Sequence, residues 1–104
     1  MESMKGDISQ SIPVNFTLSA DGDITSSTTK LILVFSKEIP GLSATNISIP
    51  VHIFKGKFTS ICSGVYVLGV SGIEKSEQIT VTVAKSGYSF TPNKSDVVVY
   101  YFNP

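Results

Sequence analysis

From residue 11 onward apolar side chains recur at every second position, the period of a strand with one buried and one wet face. Ile12, Val14, Phe16 and Leu18 alternate with Pro13, Asn15 and Thr17. Asp21-Gly22-Asp23 then reads as a turn, because Gly tolerates positive φ and Asp side chains bond their own following backbone. Residues 28–35 put Leu31, Leu33 and Phe35 on one face and Ile32 and Val34 on the other, which predicts a central strand covered on both sides. Ile39-Pro40-Gly41 stops it, and residues 42–46 have room for at most one helical turn. Alternation resumes at Ile47, Ile49, Val51 and Ile53, but Pro50 has no N–H to give a ladder, so an irregular edge strand is expected. Lys55-Gly56-Lys57 reads as a turn, 58–62 as a short strand, Ser63-Gly64 as another turn, and 65–70 as a strand with Tyr66, Leu68 and Val70 on one parity. In 78–84, Ile79, Val81 and Val83 oppose Gln78, Thr80 and Thr82, the cleanest two-faced strand in the chain. Ser86-Gly87 and Pro92-Asn93-Lys94 punctuate a connection, and 96–102 close the sequence as a strand apolar on both faces.

Seven short strands with frequent turn signals and no helix of useful length predict an all-β fold. An antiparallel two-sheet sandwich lets each sheet cover the other's apolar face, and a closed barrel is the lesser alternative. The expected core is Leu31, Leu33, Phe35, Ile49, Leu68, Val70, Ile79, Val81, Val83, Val97 and Val99, packed by aliphatic contact, with no Trp and one Cys in the chain. At 104 residues there is room for one domain, taken as 11–104, and the mixed-charge opening 1–10 reads as a flexible lead-in or cloning remnant.

Composition narrows the chemistry. Eight Lys balance eight acidic residues and there is no Arg, so neither a basic field for phosphates nor a guanidinium fork is present, and nucleic acid is not expected as a partner. No apolar run reaches the roughly 18 residues of a spanning helix, so no direct membrane insertion is expected. No cofactor and no metal is expected.

His52 is the only imidazole and lacks a nucleophile context such as G-x-S-x-G, so it is read as a polar-face strand residue and the chain as no enzyme. Cys62 is expected to be buried, although it and His52 sit on segments able to lie side by side. Asp21 and Asp23 offer carboxylates of the kind a hard cation takes, without the twelve-residue calcium-loop pattern. Glu74 and Glu77 read as a solvated loop, and Tyr88 as a loop anchor through its hydroxyl. The triplets at Asn15, Asn46 and Asn93 have the glycan-acceptor pattern, at a frequency that a Ser- and Thr-rich chain produces by composition. In the closing strand, if Val97, Val99 and Tyr101 face inward, Val98, Tyr100 and Phe102 form an outer apolar stripe. Phe54 is a candidate extension of it.

The segments TTKLILVFSKEIPGLSATNISI, YVLGVSGI and ITVTVAKSGYSFTPNKSDVVVYY, in this order, resemble the bacterial immunoglobulin-like (Big-type) repeat modules strung along large exported or cell-surface proteins. The likeness runs from about Val14 to Tyr101. It implies an immunoglobulin-like, Greek-key β-sandwich, and a noncatalytic spacer, adhesin or stalk unit of an extracellular or cell-surface protein. Its partners would be adjacent domains, another protein, or a second copy in a weak homo-oligomer. The alternative function is carbohydrate binding through exposed aromatics.

Overall fold

The computed structural model describes residues 11–103. The expected lead-in, 1–10, lies outside the described residues. Among the described residues eight strands form, β1 (Ile12–Ala20), β2 (Lys30–Phe35), β3 (Ile47–Ser48), β4 (Phe54–Cys62), β5 (Val65–Ser71), β6 (Glu77–Val83), β7 (Tyr88–Thr91) and β8 (Lys94–Val99). They build two sheets, one of five strands in the order β4-β5-β2-β1-β7 and one of three in the order β3-β6-β8. All pairings are antiparallel except β1 with β7. Among the described residues neither sheet closes on itself, which is two sheets and not the closed barrel of the alternative.

One core joins the two sheets. Val14, Phe16, Leu31, Leu33, Phe35, Tyr66, Leu68 and Val70 come from the larger sheet, and Ile47, Ile79, Val81, Val83 and Val99 from the smaller. The alternation in β1, β2, β5 and β6 supplies these residues, since a period of two sends every second side chain to the same face. Ile49 and Val97 pack on the core only partly buried. The packing is more aromatic than the aliphatic pattern suggested. Phe35 stacks on Phe16 at 5.1 Å and meets Tyr66 edge-on at 5.7 Å and Phe90 at 5.6 Å.

Four expectations are corrected. The outer face of β2 is not covered, as Val34 is exposed and Ile32 half-buried, because the second sheet packs on one side only. Ile47–Ser48 is all that remains of the Pro50 strand, and Ile53 N–H closes a turn on the Pro50 carbonyl at 3.0 Å. Lys55-Gly56-Lys57 is not a turn but lies within β4, where the register on β5 shifts between Lys55 and Phe58. The connection after β6 contains β7, which pairs with β1 before the chain crosses to β8 beyond the cis Thr91–Pro92 bond. Among the described residues the one helical element is the 3-10 turn Ala44–Asn46.

Ser63-Gly64 is the β4–β5 turn as expected. Gly64 sits at φ +81°, and a Cβ there would lie 2.8 Å from the Phe35 carbonyl oxygen, so the position requires glycine twice over.

Candidate functional site

The strand registers define two poles. β1 starts beside β7 at Ile12–Tyr88 and ends beside the start of β2 at Ala20–Leu31. β8 runs the same way, since it follows β7, which lies beside Ile12, and Tyr100, directly after it, accepts from the Thr28 N–H near the start of β2 at 2.9 Å. Ile12 therefore marks an amino pole, and the closing residues 100–103 mark a carboxyl pole shared with the loops 21–29, 49–53 and 72–76.

At the carboxyl pole hydroxyls replace a strand ladder. The N–H groups of Tyr100, Tyr101 and Phe102 donate to Thr28 Oγ1 at 2.8 Å, Ser76 Oγ at 2.9 Å and Ser27 Oγ at 2.8 Å. Thr28, buried although polar, returns its N–H to the Tyr100 carbonyl at 2.9 Å and its O–H to the Asp21 carbonyl at 2.7 Å. The segment is thus pinned alternately to the 21–29 loop and to Ser76. Regular pairing stops at Val99, and with it the strict alternation: Val98 and Phe102 are exposed as expected, but Tyr100 is half-buried and Tyr101 is exposed. Phe54 is 64% exposed at the start of β4, beside Gly72. Val98 and Phe54 belong to edge strands of different sheets, so the four candidates do not share one strand face.

Two further apolar residues crown this pole, and the alternation did not single them out as surface. Ile24 is 84% exposed in the 21–29 loop and Val51 is 96% exposed in the turn closed by Pro50. The readable signal was their turn context, Ile24 directly after Asp-Gly-Asp and Val51 directly after Pro50.

His52 lies in that same turn, not on a strand face. Its Nε2 is 2.6 Å from Glu77 Oε2, which makes Glu77 a half-buried strand residue instead of a solvated-loop one. A shallow groove of about 430 Å³ beside the pair is lined by Ser48, Thr80 and Thr82. Asp96 accepts from Gln78 and Thr80 on the same outer face. Cys62 is exposed at the far end of β4, and nine extended residues separate the two by roughly 30 Å, so no thiol meets the imidazole. Burial fails for Cys62 because β4 is an edge strand and the register shifts again between Ser60 and Cys62.

The acidic turn is self-contained. Asp21 accepts from Thr29 N–H at 2.7 Å, Thr29 O–H at 2.6 Å and Lys30 N–H at 3.0 Å, and Asp23 accepts from Thr25 N–H and O–H, both at 2.8 Å. Partial burial works to raise the Asp21 carboxyl, but the Thr29 hydroxyl, the Thr29 and Lys30 amides and the Lys30 charge together hold it below its ordinary value. The Thr25 amide and hydroxyl hold Asp23 down likewise. Among the described residues no cluster of three or more His, Cys, Asp or Glu is arranged to hold a metal ion. Of the three sequon asparagines, Asn15 and Asn93 are exposed, while the Asn46 amide donates to the Ala84 carbonyl.

The anchoring expected of Tyr88 falls to Tyr66. Its hydroxyl accepts from Ile39 N–H at 3.1 Å and donates to the Ile39 carbonyl at 3.3 Å, tying the segment after β2 to β5. Tyr88 instead stacks on Phe90 and lines a cleft of about 550 Å³ at the amino pole with Asn46, Lys85 and Asn93.

No protein-family model, no curated protein and no solved structure matches this chain.

Proposed function

We propose that the chain is an immunoglobulin-like module acting as a noncatalytic spacer or adhesive unit of a secreted or cell-surface protein. The observation that carries this reading is the placement of the two described ends at opposite poles, with β1 and β7 parallel between them. A body traversed from pole to pole extends a series of domains instead of folding it back. The strand order supports the immunoglobulin-like, Greek-key assignment: β1, β2, β5 and β4 follow one another as A, B, E and D do, and β3, β6 and β8 as C, F and G do, with β7 as an added piece. The polar outer face of the smaller sheet, and an imidazole held by a carboxylate with no thiol beside it, favour a structural over a catalytic role.

Pulling the domain by its two ends tests the reading. A spacer gives one cooperative rupture that releases roughly 300 Å of chain, at about 3.4 Å per residue. Gradual lengthening at low force contradicts a load-bearing module. Exposed Phe54, Tyr101 and Phe102 favour a second reading, carbohydrate stacking. Glycan-array binding that disappears in Phe54→Ala would replace the spacer reading with this one.

A further inference from the structure

β6 loses one of its two neighbours partway along. Toward β8 the Val83 N–H donates to the Asn93 carbonyl at 2.8 Å, and toward β3 the Ala84 N–H donates to the Asn46 carbonyl at 3.0 Å. Successive residues of a strand aim their backbone groups to opposite sides. Ile79, Val81 and Val83 therefore serve β8, while Gln78, Thr80 and Thr82 face the β3 side. β3 ends at Ser48, opposite Thr82. The next ladder pair on that register would join Pro50 to Thr80, and Pro50 has no N–H to donate. The chain turns away instead, Ile53 N–H closing on the Pro50 carbonyl. Among the described residues nothing takes the backbone N–H and carbonyl of Thr80 or of Gln78.

The abandoned edge borders the groove of about 430 Å³, walled on its other side by Ser48, Ile49, Pro50 and His52. The Gln78 and Thr80 side chains bond Asp96 on β8 and are thereby drawn away from the open edge. β4, the long edge of the other sheet, is by contrast guarded by Lys55 and Lys57 and by two shifts of register.

We infer that this edge of β6 takes an extended peptide segment of a partner protein, added as a short strand in place of the one that Pro50 cuts off. Thr80 and Gln78 each present a donor and an acceptor, roughly 7 Å apart along the strand, a repeat that an extended main chain matches and a compact ligand does not. Partner residues opposite Thr80 and Gln78 lie on the outer face, and the one opposite Ile79 points inward as buried Ile79 does, so a polar-apolar-polar run fits. The His52–Glu77 contact bounds the groove at the start of β6 and the Ser48–Thr82 pair bounds it at the other end, which confines the added ladder to the stretch between them. The inference rests on the adhesive half of the function proposed above and names its partner class. Peptide binding judges it, whereas the pulling measurement judges the module as a spacer.

A random heptapeptide library displayed on phage and selected on the full Cys62→Ser chain is the probe. Enriched peptides move the Gln78 and Thr80 amide resonances and slow their hydrogen exchange, which is fast in the free chain because neither N–H is bonded. N-methylating the peptide amide that faces Thr80 weakens binding about tenfold or more, a loss of about 1.4 kcal/mol. N-methylating the next amide, aimed at solvent, leaves binding unchanged. Thr80→Pro removes an N–H that no ladder bond uses and abolishes binding; should circular dichroism show that this variant loses its fold, the pair of N-methyl peptides decides. Slow exchange of both amides in the free chain, no enrichment over an unrelated protein, resonance shifts confined to other residues, or equal binding by the two N-methyl peptides overturns the inference.

Discussion

A single hydroxyl decides how the segment after β2 is held. The Tyr66 ring stacks on Phe58 at 5.4 Å while its oxygen serves both the N–H and the carbonyl of buried Ile39. Tyr66→Phe keeps the packing and strands the Ile39 N–H, while the Ile39 carbonyl keeps the Leu42 N–H at 3.1 Å, so it should destabilise the fold by about 1–3 kcal/mol. Urea denaturation would show this as a lowered midpoint at constant slope; an unchanged midpoint would mean that water already serves Ile39. Asp21 makes the corresponding prediction for pH. Its folded-state carboxyl lies below the unfolded value, so its contribution is present above the usual carboxylate range and is lost as pH falls through the lowered value. Asp21→Asn should flatten the acid side of the stability profile below about pH 4 without altering it near neutrality in any pH-dependent way. A variant with the same acid slope as the parent would remove Asp21 from the account.

Strands were legible where burial is one-sided. The pattern Ile79, Val81, Val83 against Gln78, Thr80, Thr82 reads directly as β6, and all three apolar residues are buried. Val81 is fully buried in the core that joins the sheets, so Val81→Ala should cost about 1–3 kcal/mol through lost burial and a residual cavity. Thermal melting at the parent's temperature would contradict that placement. Gly64→Ala should cost at least about 1–2 kcal/mol from the left-handed backbone alone, with the contact on the Phe35 carbonyl in addition. An unchanged melting temperature would show that the turn readily reshapes. Elsewhere the same reading failed for local reasons. Lys55-Gly56-Lys57 has turn composition, but its pairing with β5 absorbs it as a register shift. Tyr88 and Phe90 belong to a strand only because β1 lies beside them, a long-range pairing that four residues do not announce. The closing strand stops at Val99 because Ser27, Thr28 and Ser76, far away in sequence, supply the hydroxyls that take over its amides. The candidate surface was legible to the same extent: Val98, Phe102 and Phe54 emerge exposed, Tyr100 is half covered, and Ile24 and Val51 come forward only once the loops are placed at one pole.

At the scale of the whole molecule, the two-sheet core matters because it fixes the ends apart. β1 and β8 run from the amino pole to the carboxyl pole, and the hydroxyl clamp holds the last residues against the far loops. The separation of the ends underlies the spacer reading. Spin labels at Ser11 and Asn103 in the Cys62→Ser chain measure that separation directly by dipolar coupling. The nine residues of β1 alone rise roughly 26 Å from first to last. The account predicts one narrow distance distribution centred at about 30 Å or more; a distribution centred below about 15 Å, little more than half of that rise, would place both ends at one pole and contradict it.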